Sequence, residues 1–134
     1  MVKVSLADTE KIILRGQSCF SLTGESWKPG FLCLTNERLF FSPPNGRIVF
    51  QVYLENLIEI KPVIGKFILG LRRRLLNIVY RSRKKERMFQ AYFAVNNLEQ
   101  WEKTIKEAKA EARRQIDVQK RTVEDVLKDL EKKG

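Results

Sequence analysis

The chain has 134 residues, 43% apolar and 31% charged, enough to give one domain a buried core and too few for several domains. It holds no histidine and two cysteines, which excludes a histidine-bearing or four-cysteine zinc site and any Ser–His or Cys–His nucleophile. Ten basic residues and a single acid, Glu86, fall between Lys61 and Arg87, so all but +1 of the net charge of +10 lies in that zone.

The opening MVKVSLADTEK lacks the hydrophobic stretch of a secretion signal, and no apolar run nears the ~18–20 residues of a membrane span. Both features point to a cytoplasmic protein. QSCFSL (17–22) reads as a first strand before the turn-rich TGESWKPG. FLCLTNERLFFS (31–42) reads as two strands with a tight turn at Asn36-Glu37, since Asn tolerates turn geometry. PPNG (43–46) is a loop, because proline cannot donate to a ladder and Asn-Gly favours a reversal. RIVFQVYL (47–54) and NLIEIK (56–61) follow as strands, with Pro62 ending the second. LLNIVY (75–80) and MFQAYFAV (88–95) then flank RSRKKER (81–87). If 17–35 is a hairpin centred on Ser26, Cys19 and Cys33 face each other; in a reducing cytosol two buried free thiols are expected.

The pattern changes at Asn96. Leu98, Trp101, Ile105, Ala108 and Ala112 recur at spacings of three and four, one stripe of an amphipathic helix. Asn96 and Glu99 have the spacing of a capping box. A break near DVQK precedes a second box, Thr122 with Asp125, and a second stripe of Val123, Val126, Leu127 and Leu130. The chain thus divides into a domain with its closing helix, 1–112, and a helical tail, 113–134. The tail either folds back on the domain or docks on a second copy or a partner; it is too short for an independent coiled coil.

Chemistry is sparse. GKFILG (65–70) has glycines at phosphate-loop separation, but Leu71-Arg72 stands where Lys-Ser/Thr is required. Ser26 has no histidine to activate it, and solvent exposure alone accounts for Glu55 and Glu59. No enzyme, cofactor, metal or small-molecule substrate is expected; the chain reads as a binding module.

WKPGFLCLTNERLFFSPPNG (27–46) and VYLENLIEIKP (52–62) resemble the GRAM branch of the pleckstrin-homology (PH) superfold. The resemblance is carried by Gly30, Leu32, Leu34, Thr35, Arg38, Leu39, Phe40 and Phe41, and spans about residues 10–110. GLUE domains of membrane-sorting complexes are similar in the same strand. The resemblance implies a mainly β, α+β fold: a bent seven-stranded sheet, or partly open barrel, plugged at one end by a helix bearing Trp101. It also implies that the connections 22–30, 42–47 and 82–87 crowd the open end.

On that fold the expected anion site comprises Arg81, Arg83, Lys84, Lys85 and Arg87, joined by Lys28 and Arg47. Lys28 is all that the first hairpin offers of the cationic run carried by tight head-group binders. Arg72, Arg73 and Arg74 form a second basic contact about 17–20 Å away at the plugged end, at ~3.3 Å per strand residue. Phe67, Ile68 and Leu69 beside them are either an interfacial apolar wedge or, the reading we favour, a core strand with a bulge at Gly70. The expected partner is an anionic phospholipid membrane, bound peripherally. A protein partner, such as ubiquitin or a sorting-complex subunit, is the alternative. Non-specific nucleic-acid binding ranks third, because the basic run carries no interleaved aromatics. Dimerisation through the tail is a further expectation.

Overall fold

The computed structural model describes residues 6, 9–67, 70–82 and 87–132. Among them the chain forms β1 (Ile12–Ser21), β2 (Lys28–Thr35), β3 (Arg38–Ser42), β4 (Phe50–Tyr53), β5 (Leu57–Lys66), β6 (Arg72–Arg81) and β7 (Met88–Val95), then α1 (Leu98–Lys132). A 3-10 turn, Leu54–Asn56, joins β4 to β5. The strands form one antiparallel sheet in the order β4-β3-β2-β1-β7-β6-β5.

The sheet is strongly curled. Phe50 on β4 and Tyr80 on β6 lie five places apart in strand order, which in a flat sheet is about 24 Å at ~4.8 Å per strand. Their rings nevertheless meet edge to face at 5.3 Å. Inside the curl Phe20, Phe41, Phe50 and Phe93 form an aromatic centre with ring centroids 5.2–6.2 Å apart. Leu32, Leu34, Leu39, Leu76 and Ile78 surround it, and Leu98, Trp101, Ile105 and Ala108 of α1 complete it. The expected helical stripe is therefore the buried face of α1.

Several local expectations change. Phe20 faces Lys28, so the first hairpin is centred on Gly24, at φ +83°, rather than on Ser26. Moving the centre by two residues moves each cross-strand partner by four. Cys19 consequently faces Pro29 and Cys33 faces Arg15; both thiols are free, but only Cys33 is fully buried. Pro62 does not end a strand. It lies within β5, opposite Leu76, where the edge position spares it from donating to a further strand. The strand expected over 47–54 is confined to Phe50–Tyr53, because residues 43–49 form the turn between β3 and β4.

Phe67, Gly70 and Leu71 belong to the connection between β5 and β6, not to a core strand. The Phe67 amide donates to the Leu71 carbonyl at 2.7 Å and the Gly70 amide to the Phe67 carbonyl at 3.0 Å. Gly70 takes φ +73°, which glycine adopts without strain.

The break expected near DVQK is absent: α1 runs unbroken for 35 residues, about 52 Å at 1.5 Å per residue. Neither capping box forms as expected. Glu99 pairs with Arg74 across to β6, and the Thr122 hydroxyl donates to the Val118 carbonyl one turn back, inside the helix.

Candidate functional site

The register brings the β1–β2 connection, the β3–β4 connection and the β6–β7 end to one rim of the barrel. The β1–β2 connection lies beside the β3–β4 connection because Phe31 pairs with Ser42. Phe20 touches Phe50, Phe50 touches Tyr80, and Tyr80 stacks on Phe89 at 5.8 Å, linking both to the β6–β7 end. Lys28 sits opposite the core residue Phe20 and shares its face, since paired residues in an antiparallel ladder project the same way. Arg47 belongs to the β3–β4 connection, with its amide held by Asn45 Oδ1 at 3.2 Å. Arg81 ends β6 and pairs in register with Met88; Arg87 precedes it.

Lys28, Arg47, Arg81 and Arg87 are all exposed, and none has an acidic partner among the described residues. Arg83, Lys84 and Lys85 of the expected site lie outside the described residues, as do Ile68 and Leu69.

The rim also carries apolar side chains that the sequence analysis did not single out. Leu22 is 56% exposed, Val49 46%, Met88 69% and Phe89 37%. A cleft of about 330 Å³ opens there between β4 and the β6–β7 end, bordered by Gln51, Tyr53, Tyr80, Arg81 and Phe89. Burial raises the Tyr80 phenol above its ordinary pKa, so it remains a neutral hydrogen-bonding group. The sequence signal for this apolar set was weak: Leu22 and Val49 stand singly next to strand ends, and Met88 and Phe89 open a strand whose other apolar residues are core.

The second basic cluster is largely engaged within the molecule. Arg73 lies 5.3 Å over the Phe67 ring and donates from Nη2 to the Val95 carbonyl at 3.0 Å. Arg74 pairs with Glu99, whose carboxyl is held below its ordinary value by its own backbone amide and then by Arg74. Arg72 is exposed. Phe67 is half-buried, edge-on to Trp27 at 5.0 Å, so it anchors the β5–β6 turn rather than projecting as a wedge.

Among the described residues no group of three His, Cys, Asp or Glu side chains is placed to hold a metal, and no helix is long and apolar enough to cross a membrane.

Neither a protein-family model nor a curated protein sequence matches the chain. Solved structures do. The Vps36 N-terminal PH domain superposes with a TM-score of 0.58 at 14% identity, over 80% of this chain and 84% of that one. The hSac2 domain from the human phosphoinositide phosphatase Sac2 gives 0.54 at 16% identity, over 83% of this chain and 74% of that one. The DH/PH domains of PDZ-RhoGEF, solved in complex with GTP-γ-S-activated RhoA, give 0.58 at 14% identity. That alignment covers 78% of this chain and only 31% of the RhoGEF chain. Seven antiparallel strands closed by a C-terminal helix, together with these likenesses, make this a PH-like fold.

Proposed function

We propose that the protein is a non-catalytic, GRAM-type binding module that attaches to anionic phospholipid surfaces through the open rim. One observation carries this reading: four exposed cations and four exposed apolar side chains occupy the same rim, drawn from connections far apart in sequence. A rim kept only for solubility has no use for Leu22, Val49, Met88 and Phe89. Peripheral proteins need both kinds of residue, the cations for the charged surface and the apolar groups for the interface.

Magnitudes favour the combination. A cation near an anionic leaflet is worth about 1 kcal/mol, so Lys28, Arg47, Arg81 and Arg87 together supply at most ~4 kcal/mol. That alone corresponds to a dissociation constant of about 1 mM. Partial insertion of four half-exposed apolar side chains, at roughly 1 kcal/mol each, moves the affinity toward the micromolar range. On this reading the protein is cytoplasmic and peripherally membrane-bound, with Arg83, Lys84 and Lys85 adding charge in sequence between Arg81 and Arg87.

Co-sedimentation with neutral and with phosphatidylserine-containing vesicles across a salt series tests the proposal. Binding to the anionic vesicles alone, weakening as salt rises, is the expected result. Lys28→Glu with Arg47→Glu and Arg87→Glu should abolish it, and Met88→Ser with Phe89→Ser should weaken it at every salt concentration. Equal binding to neutral vesicles, or binding that survives the charge reversal, would overturn the proposal. Absence of vesicle binding at low salt would shift the reading to a protein-recruiting adaptor, with ubiquitin the first partner to test, ahead of nucleic acid.

A further inference from the structure

A second basic cluster assembles where α1 crosses the start of β5. Lys109 and Arg113 lie one turn apart on the helix, and Arg81 reaches the same cleft from the end of β6. The cleft measures about 400 Å³, and its wall is aliphatic, built from Leu57, Ile58 and Ile116. Glu55 also borders it. Lys109 is half-buried, and its Nζ donates to the Ile58 carbonyl at 3.5 Å, at the irregularity between Leu57 and Glu59 in the β5–β6 register.

This arrangement is electrostatically unfavourable as it stands. Like charges four residues apart destabilise a helix, and burial followed by the Arg113 charge lowers the Lys109 pKa. Two nearby acids are engaged elsewhere. In the groove that continues along α1 past Ile58, Glu59 pairs with Lys61 at 3.7 Å and Glu102 with Lys106 at 2.9 Å. Lys109, Arg113 and Arg81 have no acidic partner among the described residues.

We propose that this cleft between α1 and the start of β5 is a second binding site, which takes an acidic peptide segment carrying an aliphatic side chain beside its carboxylates. Carboxylates would meet Lys109, Arg113 and Arg81, and the aliphatic side chain would cover Ile58 and Ile116. Shape favours a peptide over a bilayer, because the half-buried Lys109 is recessed between strand and helix and the groove is elongated, whereas a membrane surface meets protruding groups. The site shares Arg81 with the rim, but Lys109 and Arg113 are not rim residues, and they distinguish it from the vesicle-binding reading.

Fluorescence anisotropy on the full chain tests it. The probe is a short, end-capped, labelled peptide of leucines between glutamates, and the control carries lysines in place of the glutamates. The acidic peptide alone should bind at low salt. Lys109→Glu with Arg113→Glu should weaken it at least about tenfold, as expected for reversing charges that contact a ligand, while Lys28→Glu with Arg47→Glu leaves it unchanged. Thermal melting checks that the variants fold; should the double reversal unfold the chain, Lys109→Gln with Arg113→Gln gives the same reading, with a smaller loss. No binding by the unaltered chain, equal binding by the folded cleft variants, or loss caused by the rim variants would each overturn the site. So would a cleft reversal that removes vesicle binding and spares the peptide, since the cluster would then serve the membrane.

Discussion

Thr35 accepts the amides of Glu37 at 3.1 Å and Arg38 at 3.0 Å and donates its hydroxyl proton to Glu10 Oε2 at 2.6 Å. Arg38 meets the same carboxylate from Nε at 2.9 Å, donates to Gln51 at 2.7 Å, and lies 4.7 Å over the Phe40 ring. Asn36 accepts from the Lys11 amide at 2.6 Å and donates to the Thr9 carbonyl at 3.1 Å. The Leu-Thr-x-x-Arg-Leu run that carried the family resemblance is therefore a clasp between the β2–β3 turn and the segment before β1. Its work is structural, which is why it is informative about fold and silent about ligand. Arg38→Ala removes the Arg38 ion pair from the buried Glu10 carboxylate and should cost about 3 kcal/mol in urea unfolding. A loss under ~1 kcal/mol would show that the pair is solvated. Gly30 is constrained by space: a Cβ there would lie 2.4 Å from the Ser42 carbonyl and 2.7 Å from the Phe41 ring. Gly30→Ala should lower stability by about 1–3 kcal/mol or more through overpacking, read as a fall in melting temperature. Glu99 supplies a pH dependence. Its folded pKa is depressed, so its contribution is present above the unfolded carboxylate value and is lost as pH falls through the lower folded value. The stability difference between the unaltered chain and Glu99→Gln should accordingly be small, as befits an exposed pair, and vanish at acid pH; a difference that grew on acidification would contradict the Arg74 pairing.

At the scale of elements, strand existence was legible because Val, Ile, Leu, Phe and Tyr cluster between turn residues. Strand ends were less so. Pro62 reads as a terminator when only local hydrogen bonding is considered, yet an edge strand tolerates it because one side of its ladder faces no neighbour. Residues 66–71 read as a core strand because of their apolar run; in the fold Phe67 reaches Trp27 while Leu71 stays exposed. The helix shows both limits. Its first stripe was placed correctly, since Leu98, Trp101 and Ile105 are buried, whereas its continuation through DVQK was not visible, because no single residue there favours or forbids helix strongly. Val118, Val123, Val126, Leu127 and Leu130 remain exposed on the far half. Trp101→Ala should cost about 3–5 kcal/mol. Removal of residues 117–134 should leave the melting temperature of the barrel nearly unchanged, since the described side chains there are exposed. Light scattering on the same pair decides whether the exposed stripe covers itself: dimerisation through the tail requires the full chain, and only the full chain, to show twice the monomer mass.

For the whole molecule, the charge arrangement is the informative property. Basic residues concentrated in one stretch of sequence separate in space into three settings: the open rim, the Arg73 and Arg74 contacts with β7, Phe67 and α1, and the cleft where Arg81 meets Lys109 and Arg113. Counting charge along the chain overstates any one site for this reason. Screening gives a test at this scale: vesicle binding carried by exposed rim cations should fall steeply between low and physiological salt, where the Debye length shortens to about 8 Å. Affinity independent of salt would mean that the apolar rim acts alone. By itself the sequence determined that this is a mainly β fold closed by an amphipathic helix around Trp101, without histidine-based chemistry and with its charge concentrated. These properties follow from composition and short-range periodicity, which local residues carry. Only the tertiary structure decided which cations remain available, that Leu22, Val49, Met88 and Phe89 share their rim, and that Lys109 and Arg113 face Arg81. Those juxtapositions depend on strand register and on the curl of the sheet, which arise from packing between residues far apart in the chain and leave no local mark in it.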